Sequence, residues 1–319
     1  MVPLNSMMPI LLLLLANLSL QFGAIVAKSL FVTMTPLQVS ISRLVIAALL
    51  LTVFQRPWQM NFQRLRIRAI LIYGLCLAAM NVLFYQALSH IPLGIAVSVE
   101  FIGPLSIAIF KSKSRKNFIW IGCAACGMLL FAAEDLSSML IHGARQTTPR
   151  LNPIGLLYAL ISGTCWAGYI LSAKYVTQNS DAASIDGKAS PSPQRGLSAL
   201  GMIIAAGAVL PFGQPLPQIA NFKWIGFDGA SLRVSLGDSP LFWLRLLGLG
   251  VFSSALPYSL EMIALRSLSS ASFGVLMSLQ PAVAALMAFA VLHESLTLLQ
   301  WLAILLIIAA STGAAFNES

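Results

Sequence analysis

The sequence predicts an all-α integral membrane protein with ten transmembrane helices, arranged as two inverted repeats of five helices each. Three observations support this fold class. Hydrophobic residues make up 58% of the 319 residues and charged residues only 9%, far below the quarter or so that is usual in soluble proteins. Apolar windows long enough to cross a bilayer recur along the whole chain. A weak internal repeat relates the first part of the chain to the second.

The apolar windows define the predicted helices. A helix that crosses a bilayer needs about 20 largely apolar residues. None of the windows shows the alternating pattern of an outer-membrane β-strand. The first is predicted to be a retained span, because no basic residue precedes Lys28 as it would in a signal peptide. The ten windows are residues 8–27, 36–54, 69–89, 93–110, 118–134, 153–173, 197–213, 241–260, 271–292 and 297–315.

The net charge of +9 is explained by membrane topology, and no nucleic-acid partner is expected. Loops 55–68 and 111–117 carry four basic residues each, whereas the loop 89–93 between them carries none. The positive-inside rule therefore predicts that both basic loops and both termini are cytoplasmic. An anionic-lipid patch is the alternative interpretation of the second basic loop.

The internal repeat sets the predicted domain boundaries. At an offset of 177 residues, Ala87-Leu88 aligns with Ala264-Leu265 and Pro104 with Pro281. The predicted units are a first five-helix repeat over 1–135, a linker over 136–152 and a second five-helix repeat over 153–319. An odd number of spans inserts the second repeat upside down, which is the plan of many secondary transporters.

Helix interruptions at matching places of the two repeats predict where a binding site lies. In inverted-repeat transporters the site is near the bilayer midplane, where Gly or Pro interrupts a helix. Gly103 and Pro104 lie in the fourth window and Pro281 in the ninth. A proline inside a helix removes a backbone hydrogen bond and frees a carbonyl. An ordinary kink that shapes the bundle is the alternative for each proline.

Glu100 is the most informative single residue. It is the one charged side chain in the apolar stretch from Ile91 to Phe110. An ionisable residue near the middle of a membrane helix is costly and normally faces a protein interior or an aqueous cavity. Small neighbours on its helical face, such as Ala96 and Gly103, leave room for a cavity. Glu100 is therefore a candidate proton carrier, the alternative being a buried acid that joins two helices.

Four further polar residues are candidates for substrate binding or proton coupling. Glu261 ends the eighth window, where either a gate role or an ion pair with Arg266 is possible. The offset of 177 places Asn81 and Tyr258 at equivalent positions, as cargo ligands or as hydrogen bonds between helices. Arg43 either extends to the membrane interface or binds a carboxylate. Lys28 is expected at the interface, and Glu294 as an interface or capping residue.

Several runs resemble a known family. They are AKSLF (27–31), PLGIAVSVEFIGPLSIAIF (92–110), ALPYSLEMIAL (255–265), FGVLMSLQPAVAAL (273–286) and HESLT (293–297). Together they are similar to the ten-helix exporters of the drug/metabolite transporter superfamily, in its EamA branch, and most of all to bacterial exporters of threonine and homoserine. The longer loops 177–195 and 214–240 depart from this pattern. The resemblance implies efflux of small neutral amino acids across the bacterial inner membrane, driven by the proton gradient.

The predicted function is therefore secondary transport of a small amino acid with protons as the coupling ion, without a metal or other cofactor. Export of a purine, an aromatic amino acid or a cationic drug is the alternative. Such cargo calls for aromatic rings at the midplane, whereas the central faces are expected to be small and aliphatic. A structural or regulatory membrane protein is a second alternative. An enzyme is disfavoured, because no phosphate-binding loop, Ser-x-x-Lys pair or His cluster is found.

Overall fold

The structure is a computed structural model that describes part of the chain in residue-level detail. The described residues are 4–59, 66–111, 119–120, 122–123, 126–127, 130, 152–181, 194–213, 240–265, 276–277, 279–294 and 296–317. Their secondary structure is helical, and no strand occurs among them. The all-α prediction is confirmed for this part of the chain.

Eleven α-helices and one π-helical turn account for most of the described residues. The helices are α1 (Leu4–Leu30), α2 (Pro36–Gln55), α3 (Ile67–Leu88), α4 (Leu93–Glu100), α5 (Ile102–Lys111), α6 (Pro153–Asp181), α7 (Gln194–Val209), α8 (Pro240–Gly250), α9 (Leu256–Leu265), α10 (Gln280–Leu292) and α11 (Leu298–Asn317). The π turn, Val251–Ala255, joins α8 to α9.

Five helical stretches of the described chain are long and apolar enough to cross a membrane, and four others are apolar but shorter. The long stretches are Met8–Leu30, Pro36–Gln55, Ile67–Leu88, Pro153–Val176 and Pro240–Glu261. Nine of the ten predicted windows contain one of these helices. The predicted window 118–134 lies mostly outside the described residues. The described part of the chain is thus all-helical, and its helices have the length and composition expected of a membrane protein.

The start of α2 shows how the local sequence fixes the position of a candidate residue. Thr35 Oγ1 accepts from the backbone N–H of Gln38 at 3.3 Å, and Gln38 Oε1 accepts from the N–H of Thr35 at 2.9 Å. This capping box satisfies backbone donors that have no partner within the helix. Pro36 at the first helical position has no N–H to satisfy. α2 therefore begins at a defined residue, and Arg43 lies two turns further along.

Helices from the two ends of the sequence pack mainly against each other. α3 packs along α6, and α1 packs along the π turn and α9. α2 packs against α7, and α4 packs against α10. Each of these pairs joins residues 4–111 to residues 152–317. The buried core is accordingly shared between the two regions rather than divided into one core for each.

One ion pair links three helix ends. Lys28 near the end of α1 pairs with Glu294, which follows α10. The other carboxylate oxygen of Glu294 accepts from the N–H of Leu93, the first residue of α4, at 3.0 Å. A carboxylate at a helix N-terminus is favoured by the helix dipole. The capping role predicted for Glu294 is present, and the side chain of Lys28 has a protein partner as well as its predicted place near a helix end.

The helix interruptions differ from the prediction in one respect. Pro104 and Pro281 were expected inside helices, but Pro104 is the third residue of α5 and Pro281 the second of α10. A proline in the first turn is tolerated because the missing N–H would have no intrahelical partner. The interruptions therefore precede the prolines, at Phe101 and at Leu279. The π turn in the predicted eighth span was not foreseen.

Candidate functional site

A cavity lined by both polar and apolar side chains lies between α1, α2, α3, α4, α6, the π turn, α9 and the start of α10. Its volume is about 110 Å³, which is several times the roughly 10–15 Å³ that one water molecule needs. All five residues predicted for substrate binding or proton coupling line it: Glu100, Glu261, Tyr258, Asn81 and Arg43. The roles of these residues remain predictions, but the structure brings their side chains to one place.

Arg43 is held by three neutral acceptors. Its Nε donates to Ser254 Oγ at 2.9 Å, one terminal nitrogen donates to Tyr85 Oη at 3.3 Å, and the other donates to the carbonyl oxygen of Ser253 at 2.5 Å. These bonds use three of the five guanidinium N–H groups. The expected alternative of an interfacial arginine is wrong, since Arg43 is only 5% exposed. The other two N–H groups have no acceptor among the residues that the structure describes.

The backbone acceptor for Arg43 is explained by a proline in the sequence. In an α-helix the N–H of residue 257 would bond to the carbonyl of residue 253. Residue 257 is Pro257, which has no N–H, so this carbonyl loses its regular partner. Ser253 itself lies within the π turn Val251–Ala255. π turns inside α-helices are frequent at functional sites.

Glu100 is buried at the last residue of α4 and is 8% exposed. Its Oε1 lies 2.5 Å from Ser162 Oγ, which in turn lies 2.8 Å from the carbonyl oxygen of Met80. The serine hydroxyl has a single hydrogen to donate. A protonated Glu100 donates to Ser162, and Ser162 then donates to Met80. An ionised Glu100 competes with the Met80 carbonyl for that one hydrogen.

Two glycines hold the backbone of this region close to α6. Gly103 in α5 and Gly163 in α6 face each other, and a Cβ on Gly103 would overlap the carbonyl of Gly163. A Cβ on Gly163 would overlap the carbonyl oxygen of Glu100. Small residues allow such close contact between membrane helices. The position of Glu100 relative to Ser162 therefore depends on the absence of side chains at both glycines.

Asn81 has an unsatisfied acceptor in the cavity. Its Nδ2 donates to the Leu77 carbonyl at 2.8 Å within α3. Its Oδ1 is buried and has no hydrogen-bond partner among the described residues. A buried acceptor without a partner costs about 1–3 kcal/mol. An N–H or O–H donor from a ligand or from water would remove this cost.

Tyr258 and Glu261 lie three residues apart on α9, so they occupy one face of that helix. Both line the cavity. Arg266, the alternative partner predicted for Glu261, lies outside the described residues. The cavity thus combines one arginine, two acids and an unpaired amide oxygen, a set that complements a ligand carrying both a positive and a negative group.

Aromatic side chains also line the cavity, contrary to expectation. They are Phe84, Tyr85, Trp166, Tyr169 and Tyr258. The central faces were predicted to be small and aliphatic, and that prediction is wrong. The reason is that each helix contributes only one or two rings, so no single window looks aromatic. The argument against an aromatic or cationic cargo from a lack of rings therefore does not hold.

Several site residues were missed by the sequence analysis. Ser162, Tyr85, Ser253 and Ser254 lie in predicted spans, and Gln280 directly precedes Pro281. Gln280 Nε2 donates to Asn17 Oδ1 at 3.2 Å, linking α10 to α1. Pro257 was the available signal for Ser253, because the residue four before a proline keeps a free carbonyl. The contacts of Ser162 and Tyr85 depend on helix pairing, for which one sequence contains no signal.

Fold and cavity together define a class, that of polytopic helical membrane proteins with a cavity between their helices that is lined in part by charged side chains. Within the described residues, no group of three His, Cys, Asp or Glu side chains could hold a metal ion. One solved crystal structure shares the fold: it aligns over 98% of this chain and 96% of its own, with a TM-score of 0.54 at 15% sequence identity.

The family follows from sequence comparison. The model of the EamA-like transporter family matches residues 153–316. The threonine/homoserine exporter RhtA of Salmonella typhimurium (strain LT2) is 38% identical over 311 residues, covering 96% of this chain and 90% of that protein. RhtA of Escherichia coli (strain K12) is 37% identical over 308 residues, with the same coverage. The chain belongs to the EamA-like transporter family, which confirms the predicted resemblance, and its relatives are transporters and not enzymes.

Proposed function

We propose that the protein exports small neutral amino acids, threonine and homoserine among them, across the bacterial inner membrane. The observation that carries the proposal is the combination of Arg43 with Glu100, Glu261 and Asn81 around one cavity. A cargo carboxylate can accept from the two remaining N–H groups of Arg43. Its ammonium can be bound by Glu261 and by the unpaired Asn81 Oδ1. The names of the relatives support this cargo.

The size of the cavity supports a short amino acid. A volume of about 110 Å³ corresponds to roughly seven to eleven water-sized positions, which is comparable to the number of non-hydrogen atoms in threonine, whereas tryptophan has about twice as many. The five aromatic rings on the cavity favour a second candidate, an aromatic amino acid or a cationic compound. Cargo selection therefore has to be measured directly.

We further propose that protons drive export and that Glu100 carries them. The shared hydrogen of Ser162 supports this role, because protonation of Glu100 changes how many acceptors of the network are satisfied. In antiport, the inward-moving proton and the outward-moving cargo use the cavity in turn. Protonation of Glu100 removes one negative charge from the cavity, which weakens its attraction for the cargo ammonium and favours release.

The proposed architecture is ten helices in two inverted repeats, over 1–135 and 153–319, with both termini cytoplasmic. The helix packing supports it. If α6 is equivalent to α1 and the α8 to α9 stretch is equivalent to α3, then the α3/α6 pair corresponds to the pair of α1 with α9. Exchange of the two repeats then maps the α2/α7 pair onto itself, and likewise the α4/α10 pair. Reporter tags at residue 113 and at the C-terminus should be cytoplasmic, and a tag at residue 146 should be on the opposite side.

One experiment tests the cargo. Cells with and without overexpression are compared for release of each of the twenty amino acids and of homoserine, with Arg43→Gln at matched protein level as the variant with weakened cargo binding. We expect faster release of threonine and homoserine from the wild type alone. Faster release of aromatic amino acids alone would favour the second candidate. A change only in tolerance to a hydrophobic cation would contradict amino-acid export.

A further inference from the structure

A second cleft opens on the outside of the helix bundle, where α3 begins beside the later part of α6. It has a volume of about 710 Å³ and is lined by Arg66, Arg68, Ser172 and Tyr175 together with apolar residues. We call it the α3/α6 cleft. It is separate from the cavity described above, and no residue lines both.

One end of the α3/α6 cleft is positively charged. Arg66 donates to the hydroxyl of Tyr175, and its guanidinium carbon lies 5.3 Å from the centre of that ring. Arg68 is exposed at the same end. Among the described residues, none that lines the cleft is acidic. The N–H groups of Ile67 and Arg68 precede the first backbone hydrogen bond of α3, which Ala69 donates to the Arg66 carbonyl, and they add to the positive potential.

The remainder of the cleft is apolar and faces outward. Ile72 is 54% exposed and Leu171 is 47% exposed, on two helices that are long and apolar enough to cross a membrane. Such side chains contact lipid hydrocarbon in a membrane protein. Arg66 immediately precedes α3 and so lies at the end of a span, where the lipid headgroups begin. The cleft thus continues from a cationic headgroup level to an apolar acyl-chain level.

We propose that the α3/α6 cleft binds an anionic phospholipid of the surrounding bilayer. Its phosphate contacts Arg66 and Arg68, and an acyl chain lies along Ile72 and Leu171. Basic pockets between membrane helices are known to take anionic headgroups. Under the predicted orientation this lipid belongs to the cytoplasmic leaflet. α3 and α6 also supply Asn81 and Ser162, so the lipid holds together two helices that form the cargo site.

The test uses the purified full chain in nanodiscs. Thermal unfolding is compared in phosphatidylcholine alone and with a fraction of phosphatidylglycerol. Binding of phosphatidylglycerol is measured in parallel by native mass spectrometry. For Arg66→Gln/Arg68→Gln we expect loss of the stabilisation by phosphatidylglycerol and an affinity weaker by about tenfold for each arginine removed. Arg66→Lys/Arg68→Lys should keep most of both.

Arg245→Gln is the control for removal of an exposed arginine elsewhere, because Arg245 is exposed on α8 and outside the cleft. It should leave the difference between the two lipids unchanged. If phosphatidylglycerol stabilised the double variant as much as the wild type, or if Arg245→Gln lost the effect equally, the proposal would be wrong. Equal stabilisation of the wild type by soluble glycerol phosphate would assign the cleft to a soluble phosphate compound and would also overturn it.

Discussion

Two helix interruptions lie beside the cavity, one at the end of α4 after Glu100 and one at the π turn that contains Ser253. Both leave a backbone carbonyl without its regular donor, but the two carbonyls have different neighbours. Pro104 lies four residues after Glu100, and Pro257 lies four residues after Ser253. Each proline leaves the earlier carbonyl without its regular helical donor. At the first interruption this carbonyl packs against Gly163. At the second it accepts from Arg43. At the first interruption the carbonyl is thus covered by packing against Gly163. At the second the carbonyl is hydrogen-bonded to a charged side chain.

The different surroundings of the two carbonyls suit two different functions within one cavity. Packing against glycine is short-ranged and permits little rearrangement, so it fixes where the Glu100 side chain lies. A guanidinium with two N–H groups to spare can add a new acceptor without giving up its present ones. We therefore expect the first interruption to position the proton-binding acid and the second to hold the cation that binds cargo.

Loss of the acid should give the largest effect. Glu100→Gln keeps the shape and most hydrogen bonding but cannot release a proton. Export driven by a pH gradient in proteoliposomes should fall to the level of protein-free liposomes, while exchange of labelled for unlabelled cargo persists. Ser162→Ala is the control, since it removes the hydrogen-bond partner and leaves the acid. Gradient-driven accumulation by Glu100→Gln equal to that of the wild type would make Glu100 a structural residue.

Loss of the cation at the second interruption should come next. Arg43→Gln should weaken cargo binding by about 1.5–3 kcal/mol, or roughly ten- to a hundredfold, because it removes charged hydrogen bonds. Arg43→Lys should restore little, since lysine lacks the planar fork that reaches Ser253, Ser254 and cargo together. Equilibrium binding of labelled threonine measures both. Ser254→Ala, which removes one neutral acceptor, should change affinity by no more than a few-fold.

Substitution of Gly163 beside the first interruption, and of Gly23 beside the second, tests how tightly each interruption is packed. Gly163→Ala should lower the free energy of unfolding by about 1–3 kcal/mol, because the added methyl group has no room beside Glu100. Gly23→Ala should cost a similar amount, as its Cβ would lie 2.5 Å from that of Ser253. Thermal unfolding in one detergent compares them with Gly207→Ala.

Gly207 has no atom within 4 Å of the position of an added Cβ, so its substitution is the control. Gly207→Ala should be neutral or stabilising by up to about 1 kcal/mol. If Gly163→Ala were as well tolerated as Gly207→Ala, the first interruption would not be closed by packing.

The prolines themselves should give the smallest effects. Pro257→Ala restores an N–H that competes with Arg43 for the Ser253 carbonyl, so cargo affinity should fall by a few-fold. Pro104→Ala should leave cargo affinity unchanged, because no arginine uses the Glu100 carbonyl. The same threonine-binding measurement serves for both. Equal changes in the two variants would remove the distinction between the interruptions.

The sequence predicted some of this site and not the rest, for physical reasons. Glu100 was identified because a lone acid in an apolar helix is costly wherever it lies. Asn81 and Tyr258 were linked through the repeat offset and share the cavity. For Arg43 the choice between the membrane interface and a carboxylate site stayed open, because hydropathy gives the ends of a span but not the side that faces a cavity. Ser162 shares its single hydrogen between Glu100 and the Met80 carbonyl only because α3, α4 and α6 are in contact. This contact becomes visible only after the helices are paired.

The interleaved packing has a consequence for how the protein is made. α1, α2, α3 and α4 each have a major packing partner in residues 152–317. During synthesis the ribosome delivers these four helices to the membrane before their partners exist. Their small and polar faces, including the one around Asn81, are then held by lipid, by the translocation machinery or by one another. Assembly of the cavity is therefore a late event of biosynthesis, and a chain cut short after residue 111 would enter the membrane without its cargo site.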